Sequence, residues 1–211
     1  MGVPVLILGE SGSGKSASIR NFKANEVGVL NVASKPLPFK SDIKTFNVSQ
    51  KAKQSGKSRY DLVKAALKKA DAKALVIDDS QYLMAFDSFD RAKEVGYGKF
   101  TAMAVNFEQL IDFVINDLPE DKIVYFLHHT ETTDDGRTKA KTIGKMLDNQ
   151  LTIEGLFAIV LYCVTDGKTH HFITQSDGFT TAKSPMDMFE LSIDNDLKIV
   201  DQTIREYYNF K

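Results

Sequence analysis

Cysteine is almost missing from this chain of 211 residues: Cys163 stands alone. A single thiol excludes an internal disulfide, so the fold must rest on its apolar core, as expected of a chain kept in a reducing cytoplasm. Long apolar runs are missing too. The longest is Phe157-Ala158-Ile159-Val160-Leu161-Tyr162-Cys163-Val164, far short of the roughly 18 residues that cross a bilayer. It suits a buried strand, with Cys163 packed as a small hydrophobe. Met1 leads almost at once into an apolar strand segment, leaving no room for a secretory leader; no membrane association is expected. Neither internal repeats nor a low-complexity linker interrupt the chain, and its length suits one domain spanning 1–211. An excess of one charge is also lacking, with a formal net charge of -1. The balance is nevertheless uneven. Residues 35–73 hold eleven Lys/Arg against three Asp, a net of +8, which leaves -9 for the remainder. Such separation suits a face that meets a polyanion, although a solvated helix over 58–70 carrying Lys64, Lys68 and Lys69 accounts for part of it.

What is present begins with Gly9-Glu10-Ser11-Gly12-Ser13-Gly14-Lys15-Ser16, a full match to the phosphate-binding pattern G-x-x-x-x-G-K-[ST]. It follows the apolar run Val3-Pro4-Val5-Leu6-Ile7-Leu8 and precedes Ala17-Ser18-Ile19-Arg20, so a strand enters the motif and a helix is expected to leave it over 15–24. Backbone N–H groups of the glycine-rich turn and the helix N-terminus together favour an anion. The nucleotide-binding set is therefore Gly9, Glu10, Ser11, Gly12, Ser13, Gly14, Lys15, Ser16 and Ala17. Lys15 is placed to reach the β- and γ-phosphates and Ser16 to ligate Mg²⁺, which makes ATP and Mg²⁺ the expected cofactors.

Strand-like and helix-like segments alternate, which predicts an α/β fold with a mostly parallel central sheet and helices on both faces. Strands are expected at 3–8, 28–32, 74–78, 122–128, 157–164 and 169–174. Helices are expected at 15–24, 59–71, 100–117 and 195–208, the last capped by Asp194 or Asn195. Segments 33–57 and 130–145 read as polar, lysine-rich loops. Ala74-Leu75-Val76-Ile77-Asp78-Asp79-Ser80 is a buried strand that ends on paired carboxylates. Asp78 is the Mg²⁺ ligand candidate, and Asp79 the residue that orients or deprotonates water, with Glu10 and Glu26 as competitors. The strand ending Phe126-Leu127-His128-His129 brings polar groups to the carboxyl end of the sheet, where ligands gather in parallel folds. Adjacent strand residues face opposite ways, so one histidine serves as γ-phosphate sensor: His129, with His128 second. Zinc held by His128, His129, His170 and His171 is disfavoured by that same geometry. Further on, Arg137, Lys139, Lys141 and Lys145 lie in a stretch without acids, suited to polyanion binding but without an interleaved aromatic for base stacking.

These segments, with Lys35-Pro36-Leu37-Pro38, Lys141-Thr142-Ile143-Gly144-Lys145 and Asn195-Asp196-Leu197-Lys198, resemble in their order the RecA-core ATPases, specifically the short phage-type group that acts in single-strand annealing and recombination. The resemblance implies a RecA-like P-loop core and a DNA-stimulated ATPase in the bacterial cytoplasm. It further implies catalytic roles for Lys15, Asp79 and His129, and single-stranded DNA on the loop bearing Arg137, Lys139, Lys141 and Lys145. It implies a homo-oligomeric ring or filament in which Lys183 reaches a neighbour's nucleotide, and work beside a single-strand-binding protein. The chain departs from the family at Pro185, where a second finger arginine often stands, and in lacking a counterpart of the long RecA proteins' catalytic glutamate, which implies slow hydrolysis. A helicase loader of the AAA+ type is the alternative suggested by Asp78-Asp79-Ser80-Gln81, although no separate helical lid is evident. A nucleotide kinase would need an arginine-bearing lid, whereas the five arginines (20, 59, 91, 137 and 205) are scattered. A binding module that uses ATP only as a switch is the non-enzymatic reading.

Overall fold

Strand β1 (Val3–Gly9) is apolar nearly throughout because both its faces are covered. Leu6 and Leu8 face one layer and Val5 and Ile7 the other, all without solvent exposure. The same two-way burial shapes β2 (Val27–Asn31), β4 (Ala74–Asp78), β5 (Ile123–Thr132) and β7 (Ile159–Thr165). The computed structural model describes residues 1–144 and 152–210, and Lys145 lies outside them. With β3 (Thr45–Asn47), β6 (Thr138–Ala140), β8 (His170–Ile173) and β9 (Ser192–Asp194), the strands form one mixed sheet in the order β3-β2-β4-β5-β1-β7-β8-β9. Neighbours from β3 through β7 are parallel, β8 and β9 join antiparallel, and β6 folds back on the end of β5.

One face packs against α2 (Arg59–Lys69), α3 (Gln81–Asp90) and α4 (Gly98–Asp117), with α1 (Val48–Ser55) at the β3 side. Phe107, Ile111 and Val114 of α4 recur at helical spacing and are sealed against Leu6, Leu75 and Phe126. The opposite face is covered by α5 (Leu197–Tyr208), whose Leu197, Val200 and Ile204 meet Val5, Val76 and Tyr125. The chain is thus α/β with a mostly parallel sheet. Among the described residues no helix is long and apolar enough to cross a membrane.

Four local expectations are corrected. The segment after the glycine-rich turn is not an α-helix over 15–24 but a 3₁₀ helix, Ser16–Asn21. Ser18 Oγ donates to Lys15 O at 2.6 Å, a side-chain bond that competes with the α ladder. Arg20 and Asn21 are drawn instead to Asn195 and Asp196. The cap of α5 is Asp196, which accepts from Lys198 N and Ile199 N, rather than Asp194 or Asn195. Residues 33–57 contain β3 and α1. Residues 130–140 form the arms of a hairpin, with Thr130 opposite Ala140, Glu131 opposite Lys139 and Thr132 opposite Thr138. Its signal was present: β-branched threonines on either side of Asp134-Asp135-Gly136.

Candidate functional site

Gly9 ends β1, where only a hydrogen fits: a Cβ there would stand 2.5 Å from Ser13 Oγ and 2.7 Å from Cys163 O. Gly14 adopts φ +103°, and a Cβ would meet the His170 ring at 2.9 Å. Between them the turn wraps so tightly that Lys15 Nζ donates to Gly9 O at 2.7 Å and Glu10 O at 2.8 Å. Two of its three donors are thereby used. Burial lowers the pKa of Lys15 from its ordinary value, against the pull of the nearby Asp78 and Asp79 carboxylates. Ser16 Oγ donates to Asp78 Oδ1 at 2.7 Å. Burial pushes the Asp78 carboxyl up, with the Ser16 bond opposing.

Strand β5 lies between β1 and β4, so its polar end is delivered between the turn and the acidic pair. His129 Nε2 meets Asp79 Oδ1 at 3.1 Å, and Lys35 Nζ meets Asp79 Oδ2 at 2.7 Å. Burial would raise the Asp79 carboxyl, but the hydrogen bonds from His129 and Lys35 outweigh it and hold the group below its ordinary value. Asp79 has φ +60°, a left-handed conformation that costs a non-glycine residue about 1–3 kcal/mol. The turn that stores this strain also lets Ser80 N bond Leu127 O at 2.8 Å, locking the acidic pair to β5. Lys35 is positioned from β2: buried Asn31 accepts from Lys35 N and donates to Lys35 O.

Lys15, Ser16, Asp78, Asp79 and His129 line one cavity of about 380 Å³, together with Ser11, Gly12, Gly14, Ala17, Lys35, Pro36, Pro38 and His170. Asp78 and Ser16 offer two oxygen ligands, which suits an ion such as Mg²⁺ that takes one or two protein groups plus phosphate and water oxygens. Among the described residues no cluster of three His, Cys, Asp or Glu could hold a metal by itself. Glu26 is elsewhere, paired with Lys198 at 2.7 Å, and Glu10 lines a different, smaller cavity beside Cys163.

His128 turns away from the cavity and is fully buried. Its Nε2 faces Lys141 O at 2.9 Å, an acceptor, so Nε2 carries the proton and Nδ1 faces Ser80 Oγ at 2.9 Å, whose one proton is shared between that nitrogen and Leu127 O at 3.1 Å. Lys141 N in turn donates to His129 O at 2.9 Å. The basic segment is therefore tied at its root to both histidines. Its cations are not free of acids: Lys139 pairs with Glu131 at 3.2 Å and Arg137 with Asp135 at 3.4 Å. Lys145 lies outside the described residues. Lys183 is away from the cavity, its backbone paired with Val160, which stands opposite Leu6, three residues before Gly9.

Three cavity residues were not singled out for chemistry in the sequence: Lys35, Pro36 and Pro38 appear there only as a marker of order. His170 was weighed only as a zinc ligand, yet its Nδ1 meets Ser13 O at 2.8 Å. Nothing near Lys35 or His170 in the chain announces this: Lys35 reaches Asp79 from the segment after β2, and His170 reaches the turn from β8. Comparison with family models and with curated proteins finds no match to this chain.

Proposed function

We propose that the chain is a P-loop ATPase of the RecA-core type that binds Mg²⁺-ATP in the cavity at the end of β1, β4 and β5 and single-stranded DNA on the β5–β6 hairpin. The observation that carries the reading is the convergence of Lys15, the Ser16–Asp78 pair and the His129–Asp79 pair on one cavity. The N–H groups of residues 10–16 would hold phosphate oxygens, Lys15 would turn its remaining donor to the β- and γ-phosphates, and Ser16 with Asp78 would hold Mg²⁺. The ion would supply charge neutralisation at the transferred phosphoryl group. A carboxylate held below its ordinary pKa is a weak proton acceptor, so Asp79 orients water rather than deprotonating it. That role, and the lack of a catalytic glutamate, fit slow turnover that DNA accelerates.

His129 joins Asp79 through its side chain and Lys141 through its backbone, which supports it as the sensor that reports a γ-phosphate to the hairpin. Assembly into a homo-oligomer, with half-buried Lys183 reaching a neighbour's site, belongs to the same reading. The test is the ATPase rate with and without single-stranded DNA. Lys15→Ala is expected to lower turnover at least about 100-fold. A variant with alanine at 137, 139, 141 and 145 is expected to lose stimulation by DNA. Stimulation that survives would sink the DNA assignment, and turnover that survives Lys15→Ala would sink the ATPase.

A further inference from the structure

The basic stretch carries no aromatic of its own, but the fold supplies one. Phe179 comes from the segment between β8 and β9 and is 63% exposed. Thr138 N donates to Phe179 O at 2.7 Å, and Thr138 pairs with Thr180 in a parallel bridge, so the turn bearing Phe179 is stapled to the hairpin that carries Arg137 and Lys139. The turn is braced within itself. Asp177 Oδ1 accepts from Phe179 N at 2.9 Å and Thr180 N at 3.1 Å, and Ser176 Oγ donates to Thr180 O at 2.6 Å. An apolar ring is thus held out in water with its backbone fixed, which lowers the ordering cost of any contact it makes.

We propose that Phe179 is a stacking platform for a base of a single-stranded nucleic acid whose phosphates lie on Arg137 and Lys139; the proposal rests on the DNA reading above. Between these residues lies a cavity of about 420 Å³, also lined by Thr133, Thr180 and buried Glu154. An aromatic face beside two cations and several hydroxyls matches the needs of a base with its attached phosphate: every base has a π-face, and the charge follows the backbone. The ion pairs Arg137–Asp135 and Lys139–Glu131 are exposed to partly exposed, and such pairs exchange for phosphate oxygens at little cost. A second protein chain fits less well. The lining is charged and hydroxylic, with Phe179 its one large apolar side chain, whereas the centre of a protein interface is apolar and depleted of charge.

The chain has no tryptophan, so Phe179→Trp installs a sole indole reporter at the platform. Titration of the full chain with oligothymidylate, in a non-hydrolysable ATP analogue, should quench its emission, and an abasic oligomer of equal length should quench it far less. Phe179→Ala should weaken oligothymidylate binding about 5- to 150-fold, the range of base–aromatic stacking. It should change affinity for the abasic oligomer by less than about two-fold, since exposed backbone contacts with phosphate persist. Undiminished binding by Phe179→Ala overturns the platform while leaving the DNA reading intact. Emission that answers to protein concentration and not to oligomer also overturns it, and assigns the ring to a subunit contact. Failure of the unaltered chain to bind either oligomer removes the DNA reading and the platform together.

Discussion

His128 shows how a single residue links chemistry to stability. Without solvent exposure, its imidazole has its pKa lowered by burial from 6.5 to about 4, the Lys141 carbonyl opposing. The unfolded chain therefore takes up a proton near pH 6.5 that the folded chain refuses until near pH 4. Stability contributed by the neutral ring is complete above pH 6.5 and drains away as pH falls toward 4, by about 3 kcal/mol in all. His128→Gln keeps a donor for Lys141 O and an acceptor for Ser80 while removing the titration. Its denaturant midpoint should fall less than that of the unaltered chain between pH 7 and pH 4.5, and an equal fall would show that other groups carry the acid sensitivity. The meeting of Lys15, Ser16 and Asp78 at one cavity was legible because a motif keeps those residues adjacent or at a strand end. The placements of Lys35, His170 and Phe179 were not, because each meets partners dozens of residues away in the chain.

At the scale of elements, the buried strands β1, β2, β4, β5 and β7 were the easiest to read, since burial on both faces leaves a continuous apolar run, whereas the short β3, β6 and β9 went unread. The errors fell where side chains compete with backbone ladders or where two weak segments stabilise each other. The 3₁₀ segment Ser16–Asn21 and the start of α5 are one such pair. Asp196 caps α5 through Lys198 N and Ile199 N, and its other oxygen accepts from Asn21 Nδ2 at 2.6 Å. Lone caps are worth about 0.5–2 kcal/mol. Asp196→Ala should therefore lower unfolding free energy by roughly 1–2 kcal/mol, read from urea midpoints at constant slope. Because Asn21 loses its partner as well, amide exchange should quicken across residues 16–21. Faster exchange confined to α5 would mean that the cap supports its own helix and nothing of the 3₁₀ segment after the glycine-rich turn. Helix α3 was missed for another reason: it begins directly after the Asp78-Asp79-Ser80 turn, so its first residues read as the tail of an acidic motif.

Over the whole molecule, part of the charge asymmetry seen in the sequence is taken up in ion pairs. Lys35 pairs with Asp79, Arg59 with Asp90 and Lys73 with Asp121, so acids from the turn after β4, from α3 and from the turn before β5 reach into the basic stretch. The candidate polyanion surface is instead the β5–β6 hairpin, and what distinguishes it is connection. Ser80, one residue beyond Asp79, reaches Lys141 through His128, while His129 reaches it directly. The proposed ATP and DNA sites, joined this way, would obey a reciprocal linkage: whatever factor the ATP analogue adds to DNA affinity, DNA must add to analogue affinity. Factors of about 5 to 150 are usual for such coupling. Anisotropy titrations run in both directions should return one number for the unaltered chain. Ser80→Ala leaves His128 Nδ1 without its donor yet touches neither ligand, so it should bring that shared factor down toward one while each ligand alone still binds. A factor that survives the substitution would place the coupling on the His129 backbone contact, and unequal factors would mean that DNA also changes the assembly state of the protein.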